Sequence, residues 1–254
     1  TAPNDTTLVY YLKSGTQLTN NDVALIPNGQ GSILAAIPDN TNVGGNKRGI
    51  NAVDLQLTRT CNTQVASGDY TFAAGQSHSV SGWSAASCGG NFNYSEGNCS
   101  FTGGGQEIQA GGHYTAIIGG RNSSAGPEGS VVLGGAWGKT RVSGSVAIPG
   151  NNPHIQVTNG AAQASIIVLG YVTTNSNTVV LTSDGQAPYY TNTIELPTNS
   201  SYYIKGYVLA RTYNGVNAKT WDITALVNRD SSNTVSFIGS PTVTSTFATS
   251  GASA

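Results

Sequence analysis

A short, regular spacing constrains this chain more than any other feature of its sequence. Between residues 71 and 150 a Ser or Thr is followed four residues later by Gly, with one Ala and one Pro as exceptions. These Ser/Thr positions are Thr71, Ala85, Ser100, Thr115, Ser130 and Ser145. The period is about 15 residues, which is too short for a helix pair or a four-stranded blade. The spacing therefore predicts one coil of a parallel β-solenoid per repeat.

Glycines mark one corner of each predicted coil. A tight corner needs a positive φ or a close approach between backbones, and glycine permits both. The glycines assigned to this structural role are Gly75, Gly89, Gly104, Gly119, Gly134 and Gly150, the last of which follows Pro149. At about 4.8 Å per coil, six coils rise roughly 29 Å.

A coil this short has little interior. Its few buried side chains offset poorly the roughly 1–2 kcal/mol of backbone entropy that each ordered residue costs. Association of identical coils about a common axis would supply a shared core. The repeat therefore predicts a homo-oligomer, most simply a homotrimer.

The composition narrows the class of protein. Charged residues make up 9% of the 254 residues and the net charge is −1, so no basic surface for nucleic acid is expected. No apolar run reaches the roughly 18 residues that a membrane-spanning helix needs, so we expect no membrane insertion. Amphipathic helical stripes with caps are absent from the sequence, whereas strand-like Val, Ile and Tyr runs are common. The chain is predicted to be all-β.

Three cysteines are too few for a disulfide framework. Cys88 and Cys99 occupy different places in the repeat, offset by about 13 Å along a strand, which exceeds the roughly 7 Å Cα limit of a disulfide. We expect free thiols, which suit assembly in a reducing cytoplasm.

Changes in composition and in the pattern of apolar residues divide the chain into four segments. Residues 1–62 form a leading segment of short strands, beginning with a strand over residues 7–12. Residues 63–150 form the β-roll repeat domain, and residues 151–164 form a linker. Residues 165–254 alternate strand-like runs with turn signals such as Asp184-Gly185 and Asn214-Gly215, which predicts a C-terminal β-sandwich. The chain contains no Met and begins at Thr1, so we expect a processed or partial chain.

The repeat resembles the head repeat of trimeric autotransporter adhesins, a left-handed parallel β-roll that trimerises. The ordered series over residues 40–245 is closer to tail-fibre and spike proteins of bacteriophages. It runs from Gly45-Asn46-Lys47-Arg48-Gly49 through the Gly119-Gly120-Arg121-Asn122 coils to the sandwich opening at 180–185. This resemblance implies a trimeric virion fibre that engages a host surface. Such relatives continue past Ala254 with further strands, which leaves the completeness of the last domain open.

The spacing of acids and histidines in the sequence does not match a catalytic or metal-binding motif. The acids of the repeat region are Asp69, Glu96, Glu107 and Glu128, and the two that share a corner, Asp69 and Glu128, lie about 19 Å apart. Glycosidases place their carboxyl groups about 5–9.5 Å apart, although a pair across subunits is left open. The three histidines His78, His113 and His154 lack metal-ligand spacing. We expect no enzyme activity, no metal and no cofactor.

Aromatic residues of the last module are the better candidates for binding. Tyr189, Tyr190, Tyr213 and Asn214 lie beside turn signals, where loops on a rigid sheet commonly carry recognition. Packing is the competing role for each tyrosine.

Three functions stay open on the sequence. The first is a structural component of a virion fibre that mediates host attachment. Its partners would be two further copies of itself, other tail or capsid proteins, and a host glycan or protein. It would be located in the virion after assembly in the host cytoplasm. The alternatives are an adhesin head of the trimeric autotransporter type and a polysaccharide-degrading tailspike.

Overall fold

The computed structural model describes residues 24–151, 159–175 and 177–249. Within these ranges the chain forms strands and no helix, so no helix there is long and apolar enough to cross a membrane. The predicted all-β class is confirmed. The strands are β1 (Ile33–Leu34), β2 (Val53–Asp54), β3 (Phe72–Gln76), β4 (Ser79–Val80), β5 (Ala86–Asn91), β6 (Tyr94–Ser95), β7 (Phe101–Thr102), β8 (Gln109–Ala110), β9 (Ala116–Ile117), β10 (Ser124–Ala125), β11 (Val131–Val132), β12 (Lys139–Thr140), β13 (Val146–Pro149), β14 (Gln163–Ile166), β15 (Ser200–Arg211), β16 (Ala218–Arg229), β17 (Val235–Phe237) and β18 (Thr242–Ala248).

Two parallel sheets form a solenoid of about six coils. The larger sheet has the order β1-β2-β3-β5-β7-β9-β11-β13-β14, and the smaller has the order β12-β10-β8-β6-β4. From β3 to β12, each coil therefore gives one strand to each sheet. Val131 pairs with Ala116 on one side and with Val146 on the other, so the pairing advances by one sequence repeat in each direction. The predicted parallel solenoid and its period are confirmed.

Parallel stacking begins before the regular repeat. β1 pairs with β2, and β2 pairs with β3, through Ile33–Val53 and Val53–Phe72. Both steps are longer than the step from Ala116 to Val131, so the first turns are larger than those of the repeat. The described part of the leading segment thus adds two strands to the larger sheet. The strand predicted over residues 7–12 lies outside the described residues.

The interior of the solenoid is narrow and filled by small side chains. Ile117, Val132 and Ala147 are spaced by one repeat, occupy one slot in successive coils and are at most 1% exposed, so they stack in a ladder. In the preceding coils the same slot holds Ser87 and Thr102, and Thr102 Oγ1 donates to Ser87 Oγ at 2.9 Å. The core is therefore a stack of single residues from each coil. The core has two apolar clusters. The first coils contain Ala52, Ala66, Ala73, Val80 and Ala85, and the later coils contain Ile108, Ala110, Ile117, Ala125, Val132 and Ala147.

The repeat glycines fall into two classes. Of the six predicted corner glycines, Gly75, Gly89 and Gly134 have positive φ, whereas the other three do not. The glycine that follows the corner glycine is more tightly constrained by the backbone of the next coil. A Cβ at Gly120, which has a φ of +94°, would stand 2.1 Å from the Gly135 carbonyl oxygen of the next coil. At this corner the close approach between coils is therefore at the second glycine of the pair.

A buried ion triad occupies the first turns of the solenoid. Asp54 accepts from Arg48 Nε at 2.6 Å and from Arg59 Nη2 at 3.2 Å, and all three side chains are at most 1% exposed. Arg59 Nε also donates to the Gln64 carbonyl at 3.0 Å. Because a buried charge without a partner is costly, each member of the triad depends on the others.

The opposite end of the solenoid is closed by residues that follow it. β14 pairs antiparallel with β13, which ends the parallel run of the larger sheet. In the smaller sheet the Gln163 side chain replaces a strand, because its Oε1 accepts from Lys139 N at 2.9 Å and its Nε2 donates to Lys139 O at 2.8 Å. The described part of the predicted linker therefore packs on the last coil. It covers edges that would otherwise be open to pairing with another chain.

The C-terminal module contains one antiparallel sheet. β15 and β16 form a hairpin of two 12-residue strands, and both β17 and β18 pair with the other side of β16. The sequence also predicts strands over residues 178–181 and 193–196, but the described part of this region forms only the isolated bridge Gly170–Thr182. The predicted antiparallel strands are therefore found in part, but the described residues form a single sheet and not the two packed sheets of a β-sandwich.

Candidate interaction surfaces

The larger solenoid sheet presents an apolar surface to solvent. Because neighbouring residues of a strand point to opposite faces, the residues flanking buried Ile117, Val132 and Ala147 point outward. Ile118, Leu133 and Ile148 are 54%, 46% and 42% exposed. We call this surface the solenoid apolar face. It consists of Phe72, Ala74, Ala86, Cys88, Phe101, Ala116, Ile118, Val131, Leu133, Val146 and Ile148.

The smaller sheet presents a polar surface on the opposite side. Its outward residues are Ser79, Tyr94, Gln109, Ser124 and Lys139, each paired with the equivalent residue of the neighbouring coil. The two outer sides of the solenoid therefore differ in polarity. Burial of apolar area stabilises association between molecules. The apolar side of the solenoid is therefore the side suited to contact with another molecule.

One corner of the solenoid carries exposed rings. Tyr70 and Trp83 meet edge to face with centroids 6.1 Å apart. Hydrogen bonds from backbone N–H groups to the side chains of Asn98 and His113 connect successive coils at this corner. Trp83 N donates to Asn98 Oδ1, and Asn98 N donates to His113 Nδ1, both at 3.0 Å. Tyr70 and Tyr114 hold left-handed φ values of 60° and 57°. This corner was not predicted from the sequence. The tyrosines that directly precede Thr71 and Thr115 could have indicated it.

The four residues predicted to bind a receptor fall into two pairs on separate segments. The rings of Tyr189 and Tyr190 meet at a tilt of 46° with centroids 4.1 Å apart, and the residues are 60% and 61% exposed. A hydrogen bond with Tyr190 raises the pKa of Tyr189. Tyr213 and Asn214 lie in the turn between β15 and β16, where Tyr213 is fully exposed. Asn214 Oδ1 accepts from Thr212 Oγ1 and from Val216 N, so this side chain shapes the turn.

Asn192 organises the loop that carries the tyrosine pair. It is 3% exposed, and its Oδ1 accepts from Tyr189 N at 2.6 Å. Its Nδ2 donates to Asp184 Oδ1 and to the Ala187 carbonyl, both at 2.9 Å. A hydrogen bond from the Gln186 N–H lowers the pKa of Asp184. The pair of rings is therefore held by a hydrogen-bonded loop, which the sequence did not indicate.

Three of the four acids of the repeat are engaged in structural contacts. Glu96 accepts from Gln109 Nε2 at 2.8 Å, and Glu107 accepts from Asn122 Nδ2 at 2.9 Å. Asp69 Oδ1 accepts from Ile50 N at 2.8 Å. Among the described residues no group of three or more His, Cys, Asp and Glu side chains could hold a metal ion. These contacts give the acids a role in joining coils.

The histidines and cysteines occupy unlike environments. His78 is fully buried, and burial lowers its pKa. Its Nδ1 accepts from Asn93 N at 3.2 Å. His113 is exposed, and His154 lies outside the described residues. The three cysteines are unpaired, and burial raises the pKa of the Cys88 thiol.

Comparison of the chain with protein-family models, with curated proteins and with solved structures finds no match.

Proposed function

We propose that this chain is a structural component of a virion fibre, such as a bacteriophage tail fibre or spike, that mediates attachment to a host cell surface. The observation that carries the proposal is the solenoid apolar face, which lies opposite a polar side of the same coil. The resemblance of the ordered sequence motifs to phage fibres supports it independently.

Assembly is the first step of the proposal. The interior of each coil holds small side chains, while Ile118, Leu133 and Ile148 are left on the surface. Closed rotational symmetry about an axis parallel to the solenoid would bring the same face of every copy together. A parallel homotrimer, with the left-handed winding that the resemblance implies, buries these faces in one shared core.

Recognition is the second step. Tyr189 and Tyr190 present two exposed rings from a loop braced by Asn192, and Tyr213 extends from the β15–β16 turn. Exposed amphipathic rings with few charges fit a host glycan or an uncharged protein surface. The proposal requires no cofactor and no catalytic group. Its other partners would be tail or capsid proteins of the same particle.

Particle labelling tests the proposal. Antibodies raised against the full chain should decorate a fibre on the virion by immunogold electron microscopy. The purified full chain should also reduce adsorption of that particle to its host. Particles that carry no label, or adsorption that the chain leaves unchanged, would contradict the proposed function.

A paired variant tests the recognition residues. Tyr189→Ala with Tyr190→Ala should weaken the block of adsorption by about tenfold or more, because each aromatic anchor contributes about 1 kcal/mol or more to binding. Tyr94→Ala is the control, since Tyr94 lies on the polar side of the solenoid. Equal blocking by all three proteins would remove these tyrosines from the site.

A further inference from the structure

The two sides of the C-terminal sheet differ in polarity. Residues paired across antiparallel strands point to the same side, so Ile204–Ala225, Val208–Trp221 and Val227–Phe237 share one face. We call it the C-terminal apolar face. It consists of Tyr202, Ile204, Val208, Trp221, Ile223, Ala225, Val227, Val235, Phe237 and Val243. The opposite face mixes rings and leucines with polar groups and includes Tyr203, Lys205, Tyr207, Leu209, Asp222, Thr224 and Leu226.

The C-terminal apolar face is only partly covered. Ala225 and Val227 are 8% and 6% exposed, but Val235, Phe237 and Val243 are 57%, 60% and 61% exposed. A sheet with one apolar face is stable when a second layer packs on that face. Among the described residues no second sheet does so.

The margins of this sheet are also free. β15 pairs only with β16 among the described residues, so one side of this long strand is unpaired. β18 lies at the opposite margin, beyond β16. Long unpaired edges favour pairing with another chain. Two edges at opposite margins of one sheet allow successive copies to join in a closed ring.

The charged residues of this face lie at its border. Lys219 and Arg229 pair with Ala210 and Ser200 at the two ends of the β15–β16 hairpin, and Lys219 Nζ lies 5.2 Å from the Trp221 ring centroid. Near a symmetry axis identical residues meet one another, so like charges at the centre of a shared face would repel. The centre of this face carries neither acids nor cations, which permits contact between identical faces.

We propose that the C-terminal apolar face is covered by the same face of other copies of this chain. This inference rests on the proposed homo-oligomeric fibre, which brings identical C-terminal sheets together. Other copies of this chain already cover the solenoid apolar face in the proposed fibre, so the same copies supply a cover for the C-terminal apolar face without a second kind of partner. The opposite face, with Tyr203 and Tyr207, is then the side available to other molecules.

Exposed positions on the two faces give a matched test in the full chain. Phe237→Asp and Tyr203→Asp each place a carboxylate at a ring that is 60% or 68% exposed in one copy, so neither change should unfold a single chain. The readouts are the mass from light scattering and the hydrogen exchange of amides in residues 200–248. Phe237→Asp should accelerate this exchange about tenfold or more, because the sheet loses its cover, whereas Tyr203→Asp should stay within about twofold of wild type.

The outcomes separate this inference from the proposed function. A wild-type oligomer in which Phe237→Asp leaves the exchange unchanged would overturn the inference and leave the fibre assembly standing. Equal acceleration by both variants would also overturn it, because the assignment of faces would be wrong. A monomeric wild-type chain would contradict the assembly itself. Val243→Asp, on the same face as Phe237, should repeat the effect of Phe237→Asp.

Discussion

Single glycines decide whether neighbouring coils of the solenoid can stack. At the corner before each Ser/Thr position, a Cβ on Gly97 would lie 1.8 Å from the Gly112 carbonyl oxygen. The same slot is occupied by Gly82 and Gly112, whose added Cβ atoms would lie 2.0 Å and 2.2 Å from the carbonyl oxygen of the next coil. In these three coils the backbones are therefore too close for a side chain, whereas the last two coils hold Pro127 and Val142 at the equivalent position.

Gly97→Ala should consequently destabilise the protein strongly, because one coil must shift away from the next and break its ladder hydrogen bonds. We expect a loss of about 3 kcal/mol or more in the free energy of unfolding, which is typical of strained or overpacked sites. Gly126→Ala is the control, since no atom lies within 4 Å of its added Cβ. Thermal unfolding of both variants checks this, and equal melting temperatures would refute the close approach.

His78 should make the stability depend on pH. Burial lowers its pKa below the ordinary value of 6.5, so the folded state binds this proton less readily than the unfolded state does. The stability is therefore complete above about pH 6.5 and declines as the pH falls below it. Protonation of Nδ1 would also remove the acceptor for Asn93 N.

His78→Asn places in this slot the residue that the next coil has at Asn93. Melting temperatures at pH 7.5 and pH 5 should differ less in the variant than in wild type. An identical pH dependence in the two proteins would show that another group causes the decline.

At the scale of elements, the solenoid depends on how its sheets end. Gln163 binds both the N–H and the carbonyl of Lys139, so one side chain takes the place of a further coil in the smaller sheet. Gln163→Leu should leave both groups without these partners and lower the stability by about 1–3 kcal/mol. Gln109→Leu is the control, because the Gln109 amide reaches only the exposed Glu96 carboxylate. Faster hydrogen exchange at Lys139 in the first variant alone would confirm the cap.

The regular coils could be predicted because their corners recur at a fixed spacing. The period placed Val132 beside Ile117 and Ala147 correctly, since the register of a solenoid follows directly from its repeat. The first strands, β1 and β2, were not assigned to this sheet because their longer steps interrupt the period. The triad of Arg48, Asp54 and Arg59 was missed for the same reason.

The C-terminal module was predictable only in part. Apolar runs at 178–181 and 193–196 have the composition of strands, yet strand formation needs a neighbouring strand, and a run of residues does not specify one. Asn192 lies between these runs and organises the loop through hydrogen bonds to Tyr189, Asp184 and Ala187. Such a network joins residues by geometry and leaves no periodic trace in the sequence.

At the scale of the whole molecule, adjacent residues should have opposite roles. Val132 points into the coil and is fully buried, whereas Leu133 points outward from the solenoid apolar face. Val132→Asp should unfold the repeat, because a buried carboxylate without a partner costs several kcal/mol. Leu133→Asp should leave the coil folded and weaken the association of copies. Circular dichroism and light scattering separate the two effects, and loss of β structure in both variants would refute the division of roles.

The mass of the purified full chain in solution tests the central claim most directly. One chain has a mass of 26.0 kDa, so a homotrimer has three times that mass, about 78 kDa. Light scattering coupled to size-exclusion chromatography should give this value, and dilution across the micromolar range should not change it. A folded species of 26.0 kDa would contradict the account, because the solenoid apolar face would then be stable in water without a partner.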